Sequence, residues 1–148
     1  MALTFSPANP ALLAALHAAC FDAPWTEDEF GKLLAGPGVT ALLAAEGDEP
    51  VGFVLARRAA DEAEIVTIGV KPTARQRGVA RALLDYQLRD LRGAGAIACF
   101  IEVAQSNAAA LRLYEATEFR PAGQRRNYYE RGNGSREDAL VLRRDLKP

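Results

Sequence analysis

Histidine, cysteine and lysine are scarce in this chain, and each scarcity excludes something. One histidine, His17, and two separated cysteines, Cys20 and Cys99, are too few for a standard zinc site, so no metal is expected. The two cysteines make no disulfide framework; Cys99 lies inside a strand-like run and reads as a buried thiol. Cysteine usage of this kind points to a reducing cytoplasm. No apolar run approaches the roughly 20 residues that cross a bilayer, and residues 1–7 lack the basic start of a secretory signal, so no membrane role is expected. Lysine occurs only at 32, 71 and 147, and the positive charge is nearly all arginine. With a net charge of −1 there is no global pull toward nucleic acid, and no direct nucleic-acid partner is expected.

What is present fits one domain spanning residues 1–148, with 49% hydrophobic and 25% charged residues. Leu12, Leu13, Leu16 and Ala19 recur at helical spacing after Asn9-Pro10, which predicts a helix from Pro10 to Phe21. Thr26 followed by Glu29 is a capping-box pattern for a short second helix. Two strands, Val39–Ala45 and Val51–Arg57, flank a turn, and Ile65–Val70 is a third strand with Val66, Ile68 and Val70 on one face. Arg75 to about Leu91 reads as a helix with the stripe Val79, Leu83, Leu84, Leu88 and Leu91, ended by Gly93 and Gly95. A strand Ile97–Val103, a helix capped by Ser106 or Asn107, and strands Phe119–Arg126 and Ala139–Arg143 complete the order ααβββαβαββ. Strand, helix, strand in the middle implies a parallel crossover, while the flanking hairpins imply antiparallel edges. The fold class is therefore mixed α/β: a mostly antiparallel sheet with one parallel pair and helices on both faces.

Two segments carry chemistry. Arg75-Gln-Arg-Gly-Val-Ala80 follows a strand and opens a helix, where unpaired backbone N–H groups and the positive dipole end favour an anion. Gly78 lets the backbone approach closely, and Arg75 and Arg77 can add charge-assisted contacts. The turn has neither the Gly-Lys-Ser/Thr ending of a P-loop nor Gly-x-Gly-x-x-Gly. Taken alone, it is equally a helix start with exposed arginines. The second segment runs from 101 to 119. It places Glu102 at a strand end and Tyr114 two turns into the next helix. Acyl transfer to an amine requires a base for the amine, a donor for the oxyanion and an acid for the leaving thiolate. Glu102 can be the base. Tyr114, with a reference pKa of about 10, can be the acid. Backbone N–H near Ile68, Gly69 and Val70 can polarise the carbonyl, and Gly69 suggests a bulge or a close ligand approach. Either side chain alone is more readily an exposed glutamate or a packed tyrosine.

At these residues the chain resembles the GCN5-related N-acetyltransferases (GNAT). Arg75-x-x-Gly78-x-Ala80 is similar to that superfamily's acetyl-CoA pyrophosphate signature, and the element order agrees over almost the whole chain. Within it, the chain is similar to the bacterial ribosomal-protein-alanine N-acetyltransferases of the RimI type. Pro24-Trp-Thr26, Glu102-Val103 with Ser106–Ala110, Leu113-Tyr-Glu115, and Arg125–Tyr129 with Arg136–Ala139 carry this likeness.

The resemblance implies an enzyme, an acyltransferase, that moves acetyl from acetyl-CoA to the N-terminal α-amine of a small-subunit ribosomal protein beginning with alanine. It implies Glu102 as general base and Tyr114 as general acid, in direct transfer without a covalent enzyme intermediate. Ile68, Gly69 and Val70 would line the acetyl and pantetheine arm. Arg75, Gln76, Arg77, Gly78, Val79 and Ala80 would hold the pyrophosphate, and Asn107 would contact the cofactor. Pro24, Trp25, Asn127, Tyr128 and Tyr129 would shape the peptide site. The expected assembly is a monomer or weak homodimer. Alternatives within the fold are a small amine, an amino acid or a protein lysine as acceptor; outside it, a non-catalytic acyl-CoA-binding module or a nucleotide-binding regulator. Two positions depart from the pattern. Ala80 stands where many members have glycine. Glu118 stands where the run usually has a glycine suited to positive φ at a helix end, so local strain is expected there. Glu62 and Glu64 are secondary base candidates, His17 is assigned no role, and Arg125 and Arg126 are either partner contacts or a solvated edge.

Overall fold

The computed structural model describes residues 2–130 and 136–146, the side chains of 127–130 and 136 excepted. The elements in chain order are β1 (Leu3–Pro7), α1 (Pro10–Cys20), α2 (Glu27–Leu34), β2 (Val39–Glu46), β3 (Glu49–Ala59), β4 (Glu62–Val70), α3 (Val79–Gly93), β5 (Ala98–Ala104), α4 (Ala108–Ala116), β6 (Arg120–Glu130) and β7 (Arg136–Asp145). One sheet takes the order β1-β2-β3-β4-β5-β7-β6. Only β4 and β5 run parallel, joined by α3, and every other neighbouring pair is antiparallel. The expected mixed sheet is therefore observed.

The period of two along the strands divides the core. In β2 and β3, Leu42, Ala44, Val54 and Ala56 face α3 and α4, while Ala41, Leu43, Phe53 and Leu55 face α1 and α2. The α3 stripe Val79, Leu83, Leu84, Leu88 and Leu91 is buried as its spacing predicts. Each such leucine removed from water contributes about 1.5–3 kcal/mol.

The structure departs from the sequence reading in four places. Residues 3–7 form a sixth element of the N-terminal half, a short edge strand paired with β2. Five residues ending at a proline give too little alternation to read alone. On α1 the buried stripe is Leu13, Leu16 and His17; Leu12 is exposed. The third helix begins at Val79 rather than Arg75, because Gly78 caps it in a left-handed conformation (φ 79°) that no helical residue adopts. Finally, Val66, Ile68 and Val70 do not share a face. Leu55 pairs with Thr67 but Ala56 with Ile65, so Val66 is the extra residue of a β-bulge. The bulge turns Val66 toward α1 and α2, while Ile68 and Val70 pack toward α3. The irregularity expected at Gly69 thus lies three residues earlier.

Candidate active site

The bulge at Val66 and the end of β4–β5 pairing coincide. These strands pair only from Glu62–Ala98 to Ile65–Ile101. Beyond that point β5 continues along β7 as far as Ala104, whereas β4 continues along β3. The sheet therefore opens between residues 66–70 and 102–104. No register pair joins residues 66–70 of β4 to residues 102–104 of β5. Ile68, Gly69, Val70 and Glu102 all border this opening.

The turn after β4 closes one end of it. Arg75 Nε donates to the Val70 carbonyl at 3.0 Å, which ties the turn to the strand. Gln76 (φ 64°) and Gly78 (φ 79°) are both left-handed, the kind of turn backbone from which anion-binding concavities are built. A Cβ built on Gly78 meets nothing within 4 Å, so the backbone conformation rather than packing demands glycine there, and space stands open above it. Arg77 bonds Glu46 at 3.1 Å and the Thr73 carbonyl at 3.0 Å. Val79 is buried, Ala80 is half-buried, and Arg75, Gln76, Arg77 and Gly78 are exposed. This donor set, at the N-terminus of a fifteen-residue helix, fits a pyrophosphate. Asn107 caps α4 through Oδ1, which accepts from Ala110 N–H at 3.1 Å.

On the α1–α2 side lies a groove of about 890 Å³. His17, Phe21, Ala23 and Trp25 form one wall; Glu62, Glu64, Ile65, Val66, Thr67 and Glu102 form the floor; and Arg57 and Arg125 stand at its margin. Glu102 is paired with Arg125 at 3.1 Å, and Glu64 is paired with Arg57. Trp25 is half-buried, and Pro24 beside it is exposed and off the lining. Asn127, Tyr128 and Tyr129 contribute backbone to β6, but their side chains lie outside the described residues.

Tyr114 is on the other side of the sheet. Its ring is buried in the α3–α4 core and meets Phe119 edge-on at 5.7 Å. It does not line the groove. Glu102 and Tyr114 are thus presented to opposite faces at the end of β5, where the sheet is open.

His17 is the residue that sequence reasoning passed over. It is 3% exposed, and its ring lies within 5.8 Å of Phe21, Trp25, Phe30 and Phe53. Its Nδ1 accepts the Trp25 N–H at 3.1 Å. The signal was available: positions 13, 16, 17 and 20 form an i, i+3, i+4, i+7 set that contains it. Burial pushes its pKa below the usual 6.5, against a smaller upward pull from Glu29.

The family described as the acetyltransferase (GNAT) family matches residues 11–119. A protein of Mycobacterium tuberculosis named N-alpha-acetyltransferase RimI is 39% identical over 128 residues, 84% of this chain and 77% of that protein. One of Salmonella typhimurium named [ribosomal protein bS18]-alanine N-acetyltransferase is 35% identical over 80% of this chain and 79% of its own. The crystal structure of the ribosomal-protein-S18-alanine N-acetyltransferase from Escherichia coli superposes with a TM-score of 0.91 at 29% identity, covering 99% of this chain and 96% of that one.

Proposed function

The chain belongs to the acetyltransferase (GNAT) family, and we propose that it transfers acetyl from acetyl-CoA to the N-terminal α-amine of a ribosomal protein, alanine first, in the cytoplasm. The name of the Salmonella typhimurium relative supports the ribosomal alanine acceptor, and that of the Mycobacterium tuberculosis relative supports the α-amine. The observation that carries the mechanism is the opening between β4 and β5, with Glu102 on one face and Tyr114 on the other. Acetyl-CoA supplies an activated thioester. Arg75 to Ala80 hold its pyrophosphate at the start of α3, Asn107 contacts it from α4, and the backbone of Ile68, Gly69 and Val70 lines its arm.

The peptide enters along the groove, past Pro24, Trp25 and the Asn127–Tyr129 segment. Its α-amine, with a reference pKa of about 7.7–8.0, is mostly protonated at neutral pH. Glu102, directly or through water, takes the proton that stops the nitrogen attacking. As the C–N bond forms and the C–S bond breaks, Tyr114 gives its proton to the departing sulfur; the nitrogen sheds its second proton to solvent, from which Tyr114 is reprotonated, and Glu102 releases the first. Each group faces the partner it serves, because the acceptor arrives on one face and the thiol leaves on the other. A groove of about 890 Å³ is roomy for a small free amine and suits a peptide.

The test is mass spectrometry of the protein, acetyl-CoA and a short alanine-starting peptide of that ribosomal protein. One acetyl group on the α-amine, lost in Glu102→Gln and slowed in Tyr114→Phe, is expected. Acetylation of free amines or lysine side chains in preference would overturn the acceptor. Normal turnover in both variants would overturn the two roles.

A further inference from the structure

The only histidine of this chain is stacked on its only tryptophan. Phe21, His17 and Trp25 form a run of near-parallel rings, with centroids 4.3 Å and 4.9 Å from the central imidazole and tilts of 24° and 19°. All three line the groove. His17 comes from the last turn of α1, whereas Phe21 and Trp25 belong to the connection into α2. That connection is held at two successive amides. Trp25 N–H donates to His17 Nδ1 at 3.1 Å, and Thr26 N–H donates to Glu29 Oε1 at 3.1 Å in the α2 capping box. A ring nitrogen that accepts carries no proton, so the imidazole is neutral with its hydrogen on Nε2. A protonated ring would set N–H against N–H in a site almost closed to water.

We propose that His17 is the positioning residue of the acceptor wall: the neutral ring clamps Trp25 through Nδ1 and by stacking, and protonation releases the Phe21–Trp25 segment and loosens the groove. The inference rests on the reading of that groove as the acceptor site. Glu29 from α2 is the charged group that acts on the ring; Glu62 and Glu64 from β4, Glu102 from β5, Arg57 from β3 and Arg125 from β6 line the same groove, and the thiol of Cys20 shares the helix of His17. Glu29 favours protonation, but burial outweighs it. The clamp is therefore set at neutral pH and opens below 6.5. This couples acceptor binding to pH in the same direction as the acceptor's own amine, which also reacts only when unprotonated.

Because no other tryptophan exists, intrinsic fluorescence reads this contact in the whole protein without substrate. A protonated imidazole against an indole quenches it. Wild type is expected to show one quenching step, with a midpoint below the ordinary histidine value, and His17→Phe is expected to lose it. With acetyl-CoA and an alanine-starting peptide, His17→Phe keeps the ring stack but not the acceptor. It should raise the peptide KM about fivefold, with kcat and the acetyl-CoA KM little changed. His17→Asn, whose Oδ1 can accept the same N–H, should restore most of the loss. A flat fluorescence titration of folded wild type between about pH 5 and 8 would overturn the clamp. So would an unchanged peptide KM in His17→Phe. If His17→Phe does not fold, the wild-type titration and the His17→Asn KM decide alone. A fluorescence step in wild type that acetylates no peptide would support the clamp and overturn the acceptor reading instead.

Discussion

Arg125 reaches from β6 across the intervening strand β7 to Glu102 on β5, with Nη1 3.1 Å from Oε1 and 3.3 Å from Oε2. Both side chains are partly open to solvent, at 52% and 32% exposure. A pair in that setting contributes about 0–1 kcal/mol to stability. Its importance is positional: it holds the carboxylate at the groove floor.

Glu102→Gln therefore separates chemistry from folding. The amide keeps the shape and can still accept from Arg125, but it cannot take a proton. The expected result is a fall in kcat of about 10²–10⁴-fold with a thermal midpoint within a few degrees of wild type. Steady-state rates and a melt on the same preparation check it. A rate loss explained by unfolding would remove the argument for a base.

Glu118 gives a stability prediction away from the site. The end of α4 is a Schellman motif: Phe119 N–H bonds the Tyr114 carbonyl at 2.9 Å and Glu118 N–H bonds that of Glu115 at 3.1 Å. Glu118 occupies the left-handed position, with φ 70°. The end of α3 uses the same pattern with glycine: Gly95 at φ 105°, and Ala96 N–H on the Leu91 carbonyl at 3.0 Å. A left-handed residue bearing a Cβ costs about 1–2 kcal/mol, partly offset by the freer unfolded chain that glycine would give. Glu118→Gly should raise stability by about 0.5–1 kcal/mol, seen in chemical denaturation. The 3.8 Å contact of Glu118 with Arg144 is too exposed to reverse the sign. A destabilised variant would refute the strain.

The strain at Glu118 was legible through the family resemblance, whose pattern has a glycine where this chain has Glu118. The α3 stripe and the parallel crossover were legible directly: long periodic segments state their own geometry. The bulge at Val66 was not. Its cause is that β4 must follow β3 while β5 follows β7, a relation among four strands that no window of one strand contains. The groove wall was half legible. Trp25 stood out by type and the spacing of positions 13, 16, 17 and 20 puts His17 on an inward face, but that Phe30 and Phe53 close over it from α2 and β3 is tertiary. The opposite facing of Glu102 and Tyr114 likewise follows from which side of the sheet α4 packs on.

Cys99 supplies a pH prediction. Its thiol is fully buried in β5, and burial pushes its pKa up to about 12 from 9.0. The unfolded thiol ionises first, so between pH 9 and about 12 the unfolded state has lost a proton that the folded state keeps. The stabilisation is present below pH 9 and is lost as pH rises toward that folded value. In the native protein Cys99 should resist alkylation at neutral and mildly alkaline pH, while the half-buried Cys20 reacts slowly. Mass mapping of adducts with time, native against denatured, checks this. Rapid native labelling of Cys99 would contradict its burial.

Gly69 tests what a glycine at the edge of the β4–β5 opening is for. Sequence alone suggested a bulge or a close ligand approach. The structure adds a packing cause, since a Cβ there would stand 2.8 Å and 3.0 Å from the Phe53 ring and 3.1 Å from Cys20 Sγ. Phe53 is fully buried, so the ring cannot swing into solvent to make room. Gly69→Ala should therefore cost about 1–3 kcal/mol by overpacking. The strand can relieve the clash only by moving away from Phe53, and that movement changes the opening between β4 and β5. A raised acetyl-CoA KM should accompany the lost stability. Phe53→Leu in the same chain removes the ring edge, so the double variant should regain part of the Gly69→Ala loss, a coupling that a double-mutant cycle reads directly. Additive losses, or an acetyl-CoA defect with unchanged stability, would return Gly69 to a ligand-contact role alone.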